Sequence, residues 1–208
     1  MFRCLRKVAF ARLFRAAVLL AALAAVPPVF AAGGFGKAPK LGETAPLFSL
    51  LDLDGQRVTL AGELTHGPVV LVLLRGWPGY QCPFCTRQFA DFLGHAPAFE
   101  TVGARVVWVY PGPSDSLQQH AREFLASRAL PSNFRIATDP DYVFTNAYGL
   151  RWDAPQETAY PATFVIDRGG TVRFAQISVG HDGRAPAIDV LKALERLPPI
   201  IRENTRRE

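Results

Sequence analysis

The sequence predicts an α/β fold: a central mixed β-sheet flanked by helices, with an N-terminal β-hairpin. Two observations lead there. Apolar runs suited to strands buried on both faces, Pro68–Leu74 and Ala104–Tyr110, alternate with segments whose apolar residues recur at helical spacing. Turn signals at Asp54-Gly55 and Gly169-Gly170 close hairpins at the two ends of that alternation. With 208 residues, 49% of them hydrophobic, the chain is long and apolar enough for one globular domain with an ordinary core.

The elements follow in order. Leu47 to Leu60 reads as two short strands around Asp54-Gly55. Pro68–Leu74 is a strand with no acidic residue in it. The Gly- and Pro-rich loop Arg75–Gln81 delivers Cys82, and Phe89, Phe92, Leu93 and Ala96 then mark a helix. After the strand Ala104–Tyr110, Ser116 and Gln119 stand at capping-box spacing. They precede a helix whose apolar face is Leu117, Ala121, Phe124 and Leu125. Phe134–Ala137 is a short strand, Asp139-Pro140 starts a helix, and Gly149 stops it. Ala162–Ile166 and Val172–Ile177 are strands around Gly169-Gly170, and Ile188, Leu191 and Leu194 mark a last helix. Buried strands alternating with helices place helices on both faces of the sheet.

The first 31 residues stand apart. Arg3, Arg6, Lys7, Arg12 and Arg15 precede an apolar run from Ala16 to Val26, and Val29-Phe30-Ala31 offers a cleavage site. That order is the order of a secretory signal, with cleavage expected after Ala31. The competing reading is an uncleaved membrane anchor, for which the apolar run is short against the roughly 20 residues a span needs. The expected organisation is a signal peptide over 1–31, a Gly/Pro linker over 32–40, one domain over 41–197 and a tail over 198–208. The expected location is periplasmic or secreted. Without the first segment the chain carries 18 basic and 18 acidic residues, so its high pI does not mark a binding surface for nucleic acid.

Cys4 falls in the leading segment, leaving Cys82 and Cys85. Disulfides persist outside the cytoplasm, but a bridge across two residues closes too short a loop to serve as a staple. The pair is therefore expected to be reactive. It stands at a strand-to-helix junction, where the backbone N–H groups and the helix dipole favour a thiolate at the first cysteine. Arg75 and Arg87 are expected to add positive potential. Cys82 is then the attacking and more exposed thiol, and Cys85 the shielded, resolving one. A zinc site would need two more ligands; no second cysteine pair exists, and His66, His95, His120 and His181 are not spaced as a pair. No metal or cofactor is expected. Tyr160-Pro161 stands immediately before the strand Ala162–Ile166. A cis Pro161 close to Cys82 would leave backbone free for an extended substrate; a strand-initiating proline is the alternative.

Gly42-Glu43-Thr44-Ala45-Pro46, Asp54-Gly55, Arg75-Gly76-Trp77-Pro78 through Cys82-Pro83-Phe84-Cys85, and Phe164-Val165-Ile166-Asp167 with Gly170 carry a family resemblance. From about Leu41 to Leu197 the chain resembles the alkyl hydroperoxide reductase/thiol-specific antioxidant (peroxiredoxin-like) group of the thioredoxin-fold superfamily. The resemblance implies a thioredoxin-like fold and an oxidoreductase whose site is Cys82 and Cys85, shaped by Pro161, Tyr160, Pro78, Trp77 and Arg75. Against the peroxiredoxin pattern, Pro78 and Cys85 match the proline and the peroxidatic cysteine. Cys82, however, stands where a threonine would orient the peroxide, and Pro161 stands where an arginine is usual, with Arg75 as its substitute. That alignment gives a peroxidatic role to Cys85, whereas thioredoxin chemistry gives attack to Cys82. The strand Val69–Leu74 also lacks the buried acid of ordinary thioredoxins. Three functions follow. The first is thiol–disulfide exchange with protein thiols or disulfides, coupled to an unidentified reductant or oxidant. The second is thiol-dependent reduction of a hydroperoxide. The third is copper delivery using the pair and His181, although the cysteine spacing is one residue short for it.

Overall fold

Val69–Leu73 forms β3, the strand on which the sheet is built, and every one of its side chains is buried. A computed structural model of the protein describes residues 38–197. The expected signal peptide, linker residues 32–37 and the tail 198–208 lie outside the described residues.

β3 pairs in parallel with β4 (Arg105–Gly112), and β4 in parallel with β5 (Phe134–Pro140). On its other side β3 runs antiparallel to β6 (Ala162–Ile166), which makes a hairpin with β7 (Val172–Ile177). The predicted N-terminal hairpin is β1 (Ser49–Asp52) with β2 (Arg57–Thr59), and β1 docks antiparallel on β5. The result is one mixed seven-stranded sheet in the order β2-β1-β5-β4-β3-β6-β7.

The period-two alternation of the strands splits the core into two layers. One face carries Val70, Val72, Val106, Trp108, Tyr110 and Ile136. It is covered by α2 (Pro83–Gly94), α3 (Ala96–Thr101), α4 (Leu117–Leu125) and α6 (Ala187–Glu195). Phe89 and Phe92 meet Trp108 edge-on, with ring centroids 5.1 and 5.0 Å apart, a preferred aromatic geometry. The other face carries Val69, Leu71, Leu73, Val107 and Phe164 under α1 (Leu60–His66) and α5 (Val143–Ala147). Both cysteines belong to the first layer.

Several local expectations differ from the structure. α1 was unassigned in the sequence; Thr59 caps it, its hydroxyl accepting from Gly62 N at 3.0 Å, and Leu60 is fully buried beneath it. Packing begins at Ala38, inside the expected linker, where this residue joins the second layer. Ser116 precedes α4 in a left-handed conformation with no side-chain cap, and Gln119 bonds Glu123 instead, so the capping box is not formed. Asp139 and Pro140 do not start a helix; they end β5. The buried Asp139 carboxylate still accepts from Phe144 N, Thr145 N and the Thr145 hydroxyl at 2.6–2.9 Å, capping α5 from the neighbouring strand. Burial pushes its pKa up despite these bonds.

Candidate active site

The loop from β3 to α2 is shaped by one close approach. Gly76 has φ +73°, and a Cβ there would lie 1.8 Å from the Pro111 carbonyl oxygen, so only glycine fits. The next amide, Trp77 N, donates to that oxygen at 3.0 Å. The Trp77 ring stacks on His120 at 3.6 Å between centroids, and Pro78 turns the loop outward, half-buried. Gln81 then accepts from Tyr110 OH at 2.9 Å and donates to the His120 carbonyl at 2.8 Å, fixing the residue before Cys82.

Cys82 is the N-cap of α2 and Pro83 its first helical residue. The Cys82 sulfur takes the place of a capping oxygen, accepting from Cys85 N at 3.4 Å. Arg184, from the loop between β7 and α6, brings Nη2 to 3.6 Å from the same sulfur. The rest of its guanidinium is held by Gln88 Oε1 at 3.3 Å and by the His181 carbonyl at 3.1 Å. Gln88 donates in turn to Thr163 Oγ1 on β6 and to the Ala185 carbonyl, both at 3.3 Å.

Both thiols are free and equally buried, 1% exposed each, so the expected difference in exposure is absent. Their acidity differs sharply. Cys82 is lowered to about 5, chiefly by the hydrogen bond from the Cys85 thiol. Burial opposes this, while the Cys85 and Phe84 amides and the Arg184 charge add to it. Cys85 is pushed well above the ordinary thiol value by burial and by donating to Cys82; Arg184 and the Arg75 amide only partly counter this. A helix start, a neighbouring thiol and one distant arginine thus stabilise a thiolate at the first position and a thiol at the second.

The other predicted residues occupy the surroundings of the pair. Arg75 does not lend its guanidinium to either sulfur. It is buried in an ion pair with Glu157 at 2.7 Å and bonded to Tyr80 OH at 2.5 Å and the Gln156 carbonyl at 2.6 Å. Arg87 lies over the Phe84 ring at 4.6 Å. The charge expected from these two is supplied by Arg184. Tyr160 stacks on Trp152 at 4.7 Å. Pro161 is buried and its peptide bond is trans, which corrects the cis expectation. Its carbonyl accepts from Ser178 N at 2.8 Å, continuing the β6–β7 pairing by one residue, so it serves as a strand-initiating proline.

Sequence reasoning missed Arg184, Gln88, Glu157 and the position of His181. Gln88 was within reach, a polar residue one helical turn after Cys85 on the face that carries Phe89 and Phe92. Arg184 carried no local signal, since it meets Cys82 across 102 residues of chain. His181 Nε2 is 2.8 Å from Glu157 Oε1. Among the described residues no three His, Cys, Asp or Glu side chains cluster closely enough to hold a metal ion.

A mixed sheet with a Cys-x-x-Cys pair at the start of the helix following its central strand defines a thioredoxin-fold redox protein. Comparison with known proteins carries this further. Residues 40–191 match the Redoxin family, and the chain belongs to it. It is 30% identical to alkyl hydroperoxide reductase E of Mycobacterium bovis over 74% of this chain and 97% of that protein. A peroxiredoxin-named protein of Mycobacterium tuberculosis is 31% identical over 68% of this chain and 87% of its own length. Among solved structures, the chain resembles peroxidoxin BcpB of Mycobacterium tuberculosis (TM-score 0.61, 23% identity, 77% of this chain and 99% of that one), a likeness of fold. It also resembles a thiol:disulfide interchange protein, DsbE, of Chlorobium tepidum (TM-score 0.55, 28% identity, 76% and 99%). The chain is an oxidoreductase that acts on thiols or peroxides.

Proposed function

We propose that the protein catalyses thiol–disulfide exchange, with Cys82 as nucleophile and Cys85 as resolving thiol. The observation that supports this is the opposite perturbation of two equally buried thiols, Cys82 down to about 5 and Cys85 well up. The Cys82 thiolate attacks one sulfur of a substrate disulfide. The substrate S–S bond breaks, one substrate thiolate leaves, and a mixed disulfide forms. Cys85 loses its proton to solvent and attacks the Cys82 sulfur, releasing the second substrate thiolate and leaving a Cys82–Cys85 disulfide. The two electrons have passed to the substrate, and an external dithiol returns the pair to the reduced state. In the opposite direction the same steps oxidise a substrate dithiol.

Reduction of a hydroperoxide is the second reading, supported by the relatives named peroxiredoxin and alkyl hydroperoxide reductase. Here the Cys82 thiolate attacks the peroxide oxygen, the O–O bond breaks, an alcohol or water leaves, and Cys82 becomes a sulfenic acid. Cys85 displaces its hydroxyl as water to give the same disulfide. The family alignment points instead to Cys85 as peroxidatic, and its raised pKa counts against that role.

Stopped-flow mixing of the reduced protein with hydrogen peroxide, and separately with a model disulfide, tests the choice. Faster reaction with the disulfide is expected. Faster reaction with peroxide, with sulfenate trapped on Cys85 in Cys82→Ser, would overturn both the reading and the assignment of the nucleophile.

We further propose that the protein acts outside the cytoplasm, a reading that rests on the basic, apolar and small-residue order of residues 1–31. N-terminal sequencing of the protein purified from its cells is expected to begin near Ala32; a chain that retains Met1–Ala31 would refute cleavage.

A further inference from the structure

Beside Cys82 lies a cleft of about 280 Å³, its wall formed by α2 and by the loop that delivers Arg184. Its size suits a ligand at the small end of the range for binding pockets. Three features distinguish it from the other hollows on the surface. Arg184 lines it and also touches the Cys82 sulfur at 3.6 Å, so its side chain links the cleft to the reactive atom. Arg87, exposed on its α2 side, has no carboxylate partner among the described residues and rests on the Phe84 ring. Asp182, exposed on its loop side, has no ion pair or hydrogen bond among the described residues. The other acid of the cleft, Asp91, is already engaged by Ala187 N at 2.7 Å and by His95. Besides Arg184, which is held at the Cys82 sulfur, the cleft therefore offers a second cation, Arg87, and an anion, Asp182, neither in an ion pair among the described residues.

We infer that this cleft binds a small disulfide of the amino-acid type, with Arg87 receiving its α-carboxylate and Asp182 its α-ammonium group. The inference rests on the exchange reading and names its substrate class. The two opposite charges on one α-carbon orient that half of the molecule, and Phe84 supplies an apolar floor for the methylene beside the sulfur. Displacement of Arg184 from the Cys82 sulfur opens the path for attack, after which one cysteine-type thiolate leaves and the other remains in the mixed disulfide until Cys85 releases it. Arg87 and Asp182 determine specificity and take no part in the bond changes.

Four disulfides of similar size separate the contributions: bis(2-hydroxyethyl) disulfide with no charge, 3,3′-dithiodipropionate with carboxylates only, cystamine with ammonium groups only, and cystine with both. Each rate constant for the full-length reduced protein is divided by that for a small free thiolate, which removes differences in leaving-group acidity. Cystine is expected to be fastest after this correction. Each engaged charge should contribute about threefold to fivefold, as partly exposed ion pairs do, and the advantage should shrink with added salt. Arg87→Gln should lower the cystine-to-cystamine ratio by the same factor, with Arg87→Lys restoring part of it. Asp182→Asn should lower the cystine-to-dithiodipropionate ratio. Equal corrected rates for the four compounds, or ratios unmoved by both substitutions, would overturn the inference while leaving exchange intact. Failure of all four to react, in a protein that consumes peroxide, would remove the exchange reading and this inference with it.

Discussion

The two segments that meet at the Cys82 sulfur are built in contrasting ways. The first, residues 82–94, is a regular helix whose start is local: Cys82 caps it, Pro83 opens it, and Cys85 one turn later supplies both an amide and a thiol to the same sulfur. The second, residues 178–186, has no helix or strand of its own. It holds Arg184 in place by one contact of its own, with the His181 carbonyl, and one borrowed from Gln88 of α2, while the His181 ring is tied to Glu157. The local device lowers the Cys82 pKa most, and the long-range one adds to it. Acidity at this site is thus mainly a property of one helical turn, and the tertiary contact refines it.

The comparison is broken most completely at the helix. Cys82→Ser is expected to abolish disulfide reduction, measured as loss of turnover with a model disulfide. Cys85→Ser should still allow attack but not release, so a mixed disulfide on Cys82 should accumulate and be seen by mass spectrometry. Cys85→Ala, which unlike serine leaves no hydroxyl to donate in its place, should raise the Cys82 pKa from about 5, because the hydrogen bond donated by the second thiol is the largest cause of its lowering. Thiolate absorbance near 240 nm against pH reads this directly; an unchanged titration would show that the helix and Arg184 suffice without the second thiol.

Loosening the long-range segment comes next. Glu157 is bonded to both buried Arg75 and His181. Glu157→Gln leaves the Arg75 guanidinium without its counter-charge, and breaking such a buried pair is expected to cost about 3 kcal/mol of folding stability, read by denaturant unfolding. If thiolate formation at Cys82 also weakens, the segment was anchored through Glu157; if stability falls and the titration is unmoved, Gln88 and the His181 carbonyl position Arg184 without Glu157.

Arg184→Gln should act more gently. Losing a charge 3.6 Å from the sulfur should raise the Cys82 pKa by less than the loss of Cys85 does. The rate of disulfide attack should fall by up to about tenfold below pH 5, where a rise of one pKa unit is a factor of ten in thiolate, and by only about twofold to fivefold at pH 5–6. Stability against pH gives an independent check. A thiol whose pKa is depressed in the folded protein stabilises it fully above the unfolded value and loses that contribution as pH falls through about 5. Between about pH 5 and the ordinary thiol range, the reduced protein should gain stability relative to Cys82→Ser as pH rises. A gap that stays constant with pH would show that the low pKa is not realised.

How much of this was legible in the sequence depends on the distance over which each feature is encoded. The bounds of β6 coincide with the run read from the chain and β3 lies within one residue of its run at each end, because a strand buried on both faces writes itself as consecutive apolar residues; the bounds of β7, a half-exposed edge strand, also coincide, beside the Gly169-Gly170 turn that sets off its start. The start of α2 was equally plain, since a proline after a strand-to-helix loop fits the first helical position. The helix α1 was missed: its seven residues are too few to show a period, and it forms because Thr59 caps it and Leu60 is buried on the sheet. The capping-box reading of Ser116 failed because the spacing was right and the backbone entered α4 in a left-handed turn.

The sequence by itself determined the sheet, its helical cover and the cysteine pair at a helix start, all of which are written within windows of a few residues where side-chain period and turn chemistry act. Only the tertiary structure decided that Pro161 is trans, its carbonyl taken up by Ser178; that Arg75 serves Glu157 and Tyr80; and that Arg184 reaches Cys82 from 102 residues away. The physical reason is the same in each case. A hydrogen bond or ion pair between distant segments depends on how the sheet and its loops are stacked, and no local pattern of residue types records which partner a buried charge will find.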